Sequence, residues 1–98
     1  MISPMKVIVK FLATFYDIAK TLRTEIEVPD DATISDLLKT IDEKINPPSI
    51  SKTLLDGDKV RDGYNILVNG RAIEFKKGLQ TELSDGDEVV LLPPIGGG

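Results

Sequence analysis

One segment of this chain has the spacing of an amphipathic helix, and it follows two segments that alternate as strands do. Thr33 precedes Ile34-Ser35-Asp36, which is close to a capping box with Asp in place of the usual Glu. The apolar residues that follow share one face at helical spacing; they are Ile34, Leu37, Leu38, Ile41 and Ile45. Asn46-Pro47-Pro48 then ends the pattern. Because one helix covers only one face of a sheet, we expect the remaining apolar segments to form a sheet beneath it.

Two strand patterns precede the helix. From Met5 to Ala13 every odd position is apolar, which is typical of a strand with one face on a core. In Arg23–Val28 polar and apolar residues alternate, and Ile26 and Val28 are predicted to point inward. We expect these two strands to form an antiparallel pair.

Three more strand patterns follow the helix. An Asn69-Gly70 pair separates the apolar runs Tyr64–Val68 and Arg71–Phe75. This pair predicts a hairpin with a type I′ turn, because both residues tolerate positive φ. Ser84–Asp87 turns the chain before a final strand over Glu88–Leu92. The order predicts an α+β roll in which a mixed sheet of about five strands is crossed by one main helix.

The two longer connections are less regular. Thr14–Leu22 is predicted to be a connection or a short helical turn, with Phe15, Ile18 and Leu22 packed beneath the sheet. Ser49–Leu55 is predicted to form a short helical turn, and the Asp-Gly pairs that follow it indicate turns. Their acidic spacing does not fit an EF-hand calcium loop, which needs a Glu at its twelfth position. No metal site is therefore predicted, and the role of this segment stays open.

Composition narrows the classes of function. The 98 residues are predicted to form one domain, and a net charge of −4 without a long basic run argues against a nucleic-acid surface. The chain has no cysteine and no histidine, which removes thiolate nucleophiles, zinc clusters and the commonest general base. No stretch approaches the roughly 20 apolar residues of a membrane span, and the start does not resemble a signal peptide. A binding or carrier role in the cytoplasm is expected.

The last strand pattern continues into Pro93, Pro94, Ile95 and the glycines Gly96, Gly97 and Gly98. Glycine has no Cβ, so such a tail can enter a narrow cleft and present an unhindered α-carboxylate for adenylation. A Pro-Pro step favours an extended chain that projects the tail from the body. Three glycines alone fit a frayed terminus or a cloning scar equally well, and Pro-Pro can simply end a sheet edge.

The residues upstream of the tail resemble a known family. Leu83-Ser84-Asp85-Gly86-Asp87-Glu88-Val89, followed by Pro-Pro, a β-branched residue, a variable residue and Gly-Gly, resembles the C-terminal signature of the MoaD/ThiS sulfur-carrier family. The likeness is greatest to the small subunit of molybdopterin synthase. Ile95 occupies the β-branched position and Gly96 the variable one, and Asn69-Gly70-Arg71 resembles the family's hairpin.

This resemblance implies a ubiquitin-like β-grasp domain over residues 1–98, with a flexible tail over residues 93–98. It implies that a ubiquitin-activating-type (MoeB-like) enzyme uses ATP to adenylate Gly98 and that a sulfur donor protein converts it to a thiocarboxylate. The large (MoaE-like) subunit of molybdopterin synthase then holds the tail while precursor Z is sulfurated to molybdopterin. The carrier binds no cofactor and contributes no catalytic residue beyond its terminal carboxylate.

The expected site residues follow from the family resemblance and from the apolar pattern of the first strand. By resemblance Gly98 is the acyl group and Gly97 gives the slender approach. Pro93, Pro94 and Ile95 direct the tail, and Gly96 is counted with them among the residues that position it. Leu91 and Leu92 lie where members of the family contact their partners. The second face of the first strand adds two apolar residues to this surface, Ile8 and Leu12, unless a loop covers them.

Three functions stay open. The sulfur carrier is the leading hypothesis, for molybdenum or its tungsten counterpart. Residues 46–63 and the first four residues make this chain longer than many bacterial carriers. Archaeal ubiquitin-like small modifiers, which also attach to lysines, have similar lengths. Carriers for thiazole synthesis are generally shorter and fit less well. A β-grasp binding module with an idle tail is the third alternative, because a fold alone does not fix function.

Overall fold

The structure is a computed structural model that describes residues 4–45 and 49–94 of the chain. Within these ranges the chain forms seven strands, three α-helices and two 3₁₀ turns. In chain order the elements are β1 (Met5–Phe11), α1 (Thr14–Ala19), β2 (Arg23–Val28), α2 (Ile34–Lys44), α3 (Ile50–Leu54), β3 (Leu55–Asp56), β4 (Lys59–Val60), β5 (Asn65–Val68), β6 (Arg71–Ala72), 3₁₀ turns over Ile73–Phe75 and Gly78–Gln80, and β7 (Glu88–Leu92).

Five of the strands form one mixed sheet in the spatial order β2-β1-β7-β5-β6. β1 pairs antiparallel with β2 and parallel with β7, and β5 pairs antiparallel with both β7 and β6. The last strand therefore occupies the centre of the sheet, with α2 across one face. This confirms the predicted α+β roll with one main helix, and its arrangement is that of the β-grasp.

The alternation in β1 sets which face meets the core. Val7, Val9 and Phe11 are fully buried, as the odd-position pattern predicts. The strand ends at Phe11 and does not continue to Ala13 as expected. Ala13 has a φ of 51°, which no strand residue adopts, and it begins the turn into α1.

Helix α2 begins at the predicted capping box. The Asp36 amide donates to Thr33 Oγ1 at 3.3 Å, and the Thr33 amide donates to Asp36 Oδ2 at 3.0 Å. The buried residues of α2 are those of the predicted apolar face: Ile34, Leu37, Leu38 and Ile41. The helix ends at Lys44, and the predicted terminator Asn46-Pro47-Pro48 lies outside the described residues.

The predicted packing of the first connection is correct for Phe15, which is fully buried beneath the sheet. It is wrong for Leu22, whose side chain is 59% exposed. The Leu22 carbonyl accepts the Phe11 amide at 2.9 Å, so its backbone continues the ladder between β1 and β2. Leu22 precedes the start of β2, and the core takes Ile26 and Val28 from that strand.

The Asn-Gly hairpin is confirmed in its turn and shorter than expected in its second arm. Asn69 and Gly70 have φ values of 51° and 85°, as a type I′ turn requires. The prediction of a strand through Phe75 is wrong, because β6 contains only Arg71 and Ala72. Ile73 is buried while Phe75 is 78% exposed, and a strand would place these two residues on the same face.

The segment before β5 packs on α2. Its predicted helical turn is α3, in which Ile50 and Leu54 are fully buried. The two-stranded hairpin β3-β4 follows, where the sequence indicated only turns. Among the described residues, no helix has both the length and the apolar character needed to cross a membrane.

Candidate functional site

The candidate site begins where β7 leaves the sheet. Leu92, its last residue, pairs with Asn65 of β5, and half-buried Pro93 and exposed Pro94 come next. Ile95, Gly96, Gly97 and Gly98 lie outside the described residues, so their roles stay predictions. The described geometry therefore concerns the base of the tail and the surface around it.

Hydrogen bonds join the turn before β7 to β1. Asp85 Oδ1 accepts the Lys6 amide at 2.9 Å, and the Gly86 amide donates to the Lys6 carbonyl at 2.8 Å. Gly86 has a φ of 84°, a conformation that favours glycine. Asp87 Oδ2 closes the turn by accepting the Ser84 amide at 2.8 Å. The Asp-Gly-Asp motif thus acts structurally, by fixing the position of the strand that leads to the tail.

Asn69 ties the hairpin to this same turn. Its side-chain Nδ2 donates to Asp87 Oδ1 at 2.9 Å, and its Oδ1 accepts the Glu88 amide at 2.9 Å. The Asn69 amide donates to the Glu88 carbonyl at 2.8 Å. The two sequence features that carried the resemblance, the hairpin and the Asp-Gly-Asp turn, are therefore one hydrogen-bonded cluster.

The loop before β5 contacts the base of the tail through Gly63. This residue has a φ of 86°, and a Cβ built on it would lie 3.1 Å from Pro94 Cγ and 3.3 Å from Pro94 Cβ. The sequence marked Gly63 only as a turn residue, because nothing in the local pattern indicates a contact with a residue 31 positions later. A cleft of about 400 Å³ lies beside this loop and is bordered by the two 3₁₀ turns.

The sheet face opposite α2, here named the open face, carries a half-buried apolar strip. Its apolar residues are Ile8, Leu67, Val90 and Leu92, and half-buried Leu12 follows the end of β1. Lys10 and Glu88 form an ion pair across β1 and β7 at 3.1 Å, with side chains 40% and 41% exposed. Glu25 and Glu27 of β2 pair with Ile8 and Lys6 at the edge of this strip. Lys10 pairs with Val90 inside the strip. The surface therefore combines apolar side chains with an ion pair and has carboxylates at its β2 edge, a mixture suited to binding another protein.

The structure corrects one predicted contact residue. Leu91 is fully buried, on the same face of β7 as Val89, so it belongs to the core. Residues 89 to 92 are all apolar, and such a run does not show from sequence which alternate residues face inward. Val90 and Leu92 are the ones on the open face. Leu67, which pairs with Val90, was also missed.

Comparison with known proteins decides the family. The model of the ThiS family matches residues 9–98, which include the final strand and the glycines after it. The chain belongs to the ThiS family.

Two relatives show what kinds of protein resemble this ThiS-family chain. Small archaeal modifier protein 3 of Haloferax volcanii is 32% identical over 94 residues, covering 96% of this chain and 100% of that one. Sulfur carrier protein CysO of Mycobacterium tuberculosis is 39% identical over 70 residues, covering 68% of this chain and 69% of that one. This ThiS-family chain is thus a member of a group of sulfur carriers and ubiquitin-like modifiers.

Solved structures agree on the fold. The solution structure of the HVO 2177 protein of Haloferax volcanii has a TM-score of 0.82 at 32% identity, covering 97% of this chain and 88% of that one. A putative molybdopterin converting factor, subunit 1, of Pyrococcus furiosus has a TM-score of 0.73 at 33% identity, covering 93% and 99%. A chain of the BexX/CysO complex of Amycolatopsis orientalis has a TM-score of 0.81 at 24% identity, covering 94% of this chain and 99% of that one, which supports the fold alone. The ubiquitin-like β-grasp fold is thereby established.

Proposed function

We propose that this chain is a sulfur carrier whose Gly98 carboxylate is adenylated and then thiocarboxylated, and that it donates sulfur to precursor Z as the small subunit of molybdopterin synthase. The position of β7 carries the proposal. This strand is paired on both sides at the centre of the sheet and leads directly into Pro93-Pro94. Whatever follows these prolines is attached to a rigid body, which lowers the entropy lost when a partner captures it.

The chemistry needs an activated acyl group, because a carboxylate is a poor acyl donor. A carboxylate oxygen of Gly98 attacks the α-phosphorus of ATP, pyrophosphate leaves, and an acyl adenylate forms. The terminal sulfur of a persulfide attacks the acyl carbon and displaces AMP, which forms a C–S bond and gives an acyl disulfide. A second thiol then cleaves the S–S bond that came from the persulfide, which releases the thiocarboxylate and leaves a disulfide between that thiol and the donor sulfur. ATP is bound by the activating enzyme, and the carrier holds no cofactor. This division of chemical roles between carrier and partners fits a chain with no histidine or cysteine, because the partners supply the bases and the sulfur.

The open face is the proposed binding surface for these partners, a MoeB-like activating enzyme and a MoaE-like large subunit. Ile8, Leu12 and Leu92 were expected to contact partners. The register adds Val90 of β7, which pairs with Lys10 of β1 and Leu67 of β5. Since Leu92 lies two residues before Pro94, a protein bound on this face is also close to the base of the tail. One surface can thus bind a partner and direct the tail toward its active site.

Reconstitution tests the sulfur acceptor. The carrier is first loaded with sulfur by the activating enzyme, ATP and a persulfide donor, and is then mixed with the large subunit and precursor Z. We expect the pterin to gain sulfur, as measured by mass spectrometry, and a variant lacking Gly97-Gly98 to give none. A loaded carrier that leaves precursor Z unsulfurated would exclude the molybdopterin role while leaving the loading step intact.

A second candidate function is a ubiquitin-like modifier linked through Gly98 to lysines of other proteins. The observation that favours it is the alignment along 96% of this chain with small archaeal modifier protein 3. The adenylation step is common to both functions, so only the final acceptor separates them.

Proteomics of the host cell tests this candidate. Lys77 is the last basic residue, so trypsin would leave residues 78–98 as a branch on each modified lysine. Branched peptides of this kind, lost when Gly97-Gly98 is deleted, would support a modifier. Their absence from cells in which the unbranched peptide of residues 78–98 is readily detected would count against it.

A further inference from the structure

We propose that Gly63 is a positioning residue for the tail: because it lacks a side chain, Pro94 packs directly over it, and this contact sets the direction in which the tail leaves the domain. The effect on reactivity rests on the proposed function of Gly98. The contact between Gly63 and Pro94 lies within the described residues and does not depend on the proposed function.

The contact continues the pairing of β5 with β7. Asn65 and Leu92 are the last register partners, and in an antiparallel pair the residues two positions beyond them also lie opposite each other. These residues are Gly63 and Pro94. Proline has no amide hydrogen, so the ladder ends here and packing alone fixes the distance between the two chains. The direction of the following residues therefore depends on how closely Pro94 approaches residue 63.

A side chain at position 63 would push Pro94 away. An added Cβ would lie 3.1 Å from Pro94 Cγ and 3.3 Å from Pro94 Cβ, which is shorter than normal carbon–carbon contact. The pyrrolidine ring is closed onto its own backbone nitrogen, so it cannot rotate aside as a flexible side chain does. Relief requires a relative shift of a few tenths of an ångström between residue 63 and Pro94, and we expect the main chain that leads into the tail to take up part of this shift.

The loop on the other side of the contact is held in place. The Arg61 amide donates to the Leu54 carbonyl at 2.9 Å, and the Tyr64 amide donates to the Arg61 carbonyl at 3.0 Å. The Tyr64 ring packs edge-on against fully buried Phe15 with 6.0 Å between ring centroids. Since Leu54 is also fully buried, the loop has anchors in the core at both ends. This assigns a role to the 49–63 segment, which supports the base of the tail.

A matched control separates this contact from backbone strain. Gly70 has a φ of 85°, almost the same as the 86° of Gly63, but nothing lies within 4 Å of a Cβ built on it. Gly63→Ala and Gly70→Ala therefore carry similar left-handed strain, and only Gly63→Ala meets Pro94. Pro94→Ala removes the Cγ atom and frees the backbone. Gly63→Ala should therefore cause little further change in the direction of the tail when Pro94→Ala is also present.

Paramagnetic NMR measures the direction of the tail without any enzyme. The chain has no cysteine, so Asp58→Cys gives a single site for a nitroxide beside the cleft that Gly63 borders. We expect Gly63→Ala to change the broadening of the amides of residues 95–98, and Gly70→Ala to leave it as in the unsubstituted chain. Gly63→Ala should add no further change when Pro94→Ala is present. The same broadening in Gly63→Ala and Gly70→Ala would overturn the inference.

The rate of adenylation measures the consequence. With the ubiquitin-activating-type enzyme of the same genome, we expect Gly63→Ala to lower kcat/KM for ATP–pyrophosphate exchange about tenfold or more relative to Gly70→Ala, because misplaced reacting groups react slowly. Equal kcat/KM values for the two variants would overturn the positioning role. If the unsubstituted chain is not adenylated at all, the proposed function fails, and the NMR result still decides whether Gly63 sets the tail's direction.

Discussion

At the scale of single residues, the base of the tail is fixed by side chains that satisfy backbone groups in turns. Asp85 and Asp87 accept amides from β1 and from their own turn, and Asn69 joins that turn to the hairpin. Such local bonds are each worth about 0.5–1.5 kcal/mol. Together they hold β7 from two sides, so strand position depends on a few polar residues as well as on the core.

Two substitutions of Asn69 test how much this hydrogen-bonded cluster contributes to the free energy of unfolding. Asn69→Gly keeps the left-handed backbone and removes both side-chain bonds, and we expect a loss of about 1 kcal/mol in the free energy of unfolding. Asn69→Ala removes the same bonds and adds the cost of a left-handed alanine, so it should lose about 1 kcal/mol more. Urea unfolding monitored by circular dichroism measures both values. Equal stability of the two variants would show that the φ of 51° at this position carries no strain for alanine.

At the scale of elements, α3 is held by a residue of the main helix. Asp42 Oδ1 accepts the amides of Ile50 and Ser51 at 2.9 and 3.2 Å, and its Oδ2 accepts the Ser49 hydroxyl at 3.0 Å. A carboxylate that binds the first amides of a helix both satisfies them and complements the helix dipole. The orientation of the 49–63 segment on α2 therefore depends on this one side chain together with buried Ile50 and Leu54.

Asp42→Ala should loosen that segment more than the rest of the domain. We expect a loss of about 0.5–2 kcal/mol, the usual range for a lost helix cap. Hydrogen exchange should quicken at the Ile50 and Ser51 amides, which lose their acceptor, and also at the Arg61 amide, which bonds to α3 through the Leu54 carbonyl. Glu43→Ala, an exposed neighbour on the same helix, is the control and should leave these amides unchanged. Equal exchange in the two variants would show that Asp42 does not hold α3.

Two adjacent residues of β7 distinguish a core position from a position on the proposed binding surface. Leu91→Ala should cost about 2–5 kcal/mol of stability, because it leaves a cavity in the core. Val90→Ala should cost less than that, since Val90 is half-buried on the open face, and it should raise the KM of the activating enzyme for the carrier. Thermal unfolding and ATP–pyrophosphate exchange measure the two effects. A KM unchanged by Val90→Ala would place the activating enzyme on another surface.

At the scale of the whole molecule, the architecture could be predicted from the sequence because each pattern that indicates it lies within a short stretch of neighbouring residues. The cap at Thr33, the alternation of β1 and the Asn69-Gly70 turn each depend on neighbouring residues alone. Leu91 was wrongly expected, by resemblance, to contact partners, and the four consecutive apolar residues of β7 carry no alternation that could have placed it in the core. The contact of Gly63 with Pro94 could not be predicted, since it depends on the register of two strands that are distant in sequence.

The central claim concerns the tail as an acyl group presented by a rigid body. The chain would be incubated with ATP, the activating enzyme and a persulfide donor, and then cut with trypsin to release residues 78–98, the peptide that ends in Gly98. We predict that mass spectrometry will find this peptide with one oxygen replaced by sulfur, and that leaving out ATP will prevent the change. As a positive control, a known carrier is loaded with sulfur by its own activating enzyme under the same conditions. If that control gains sulfur and the peptide of this chain keeps its mass, the account is contradicted.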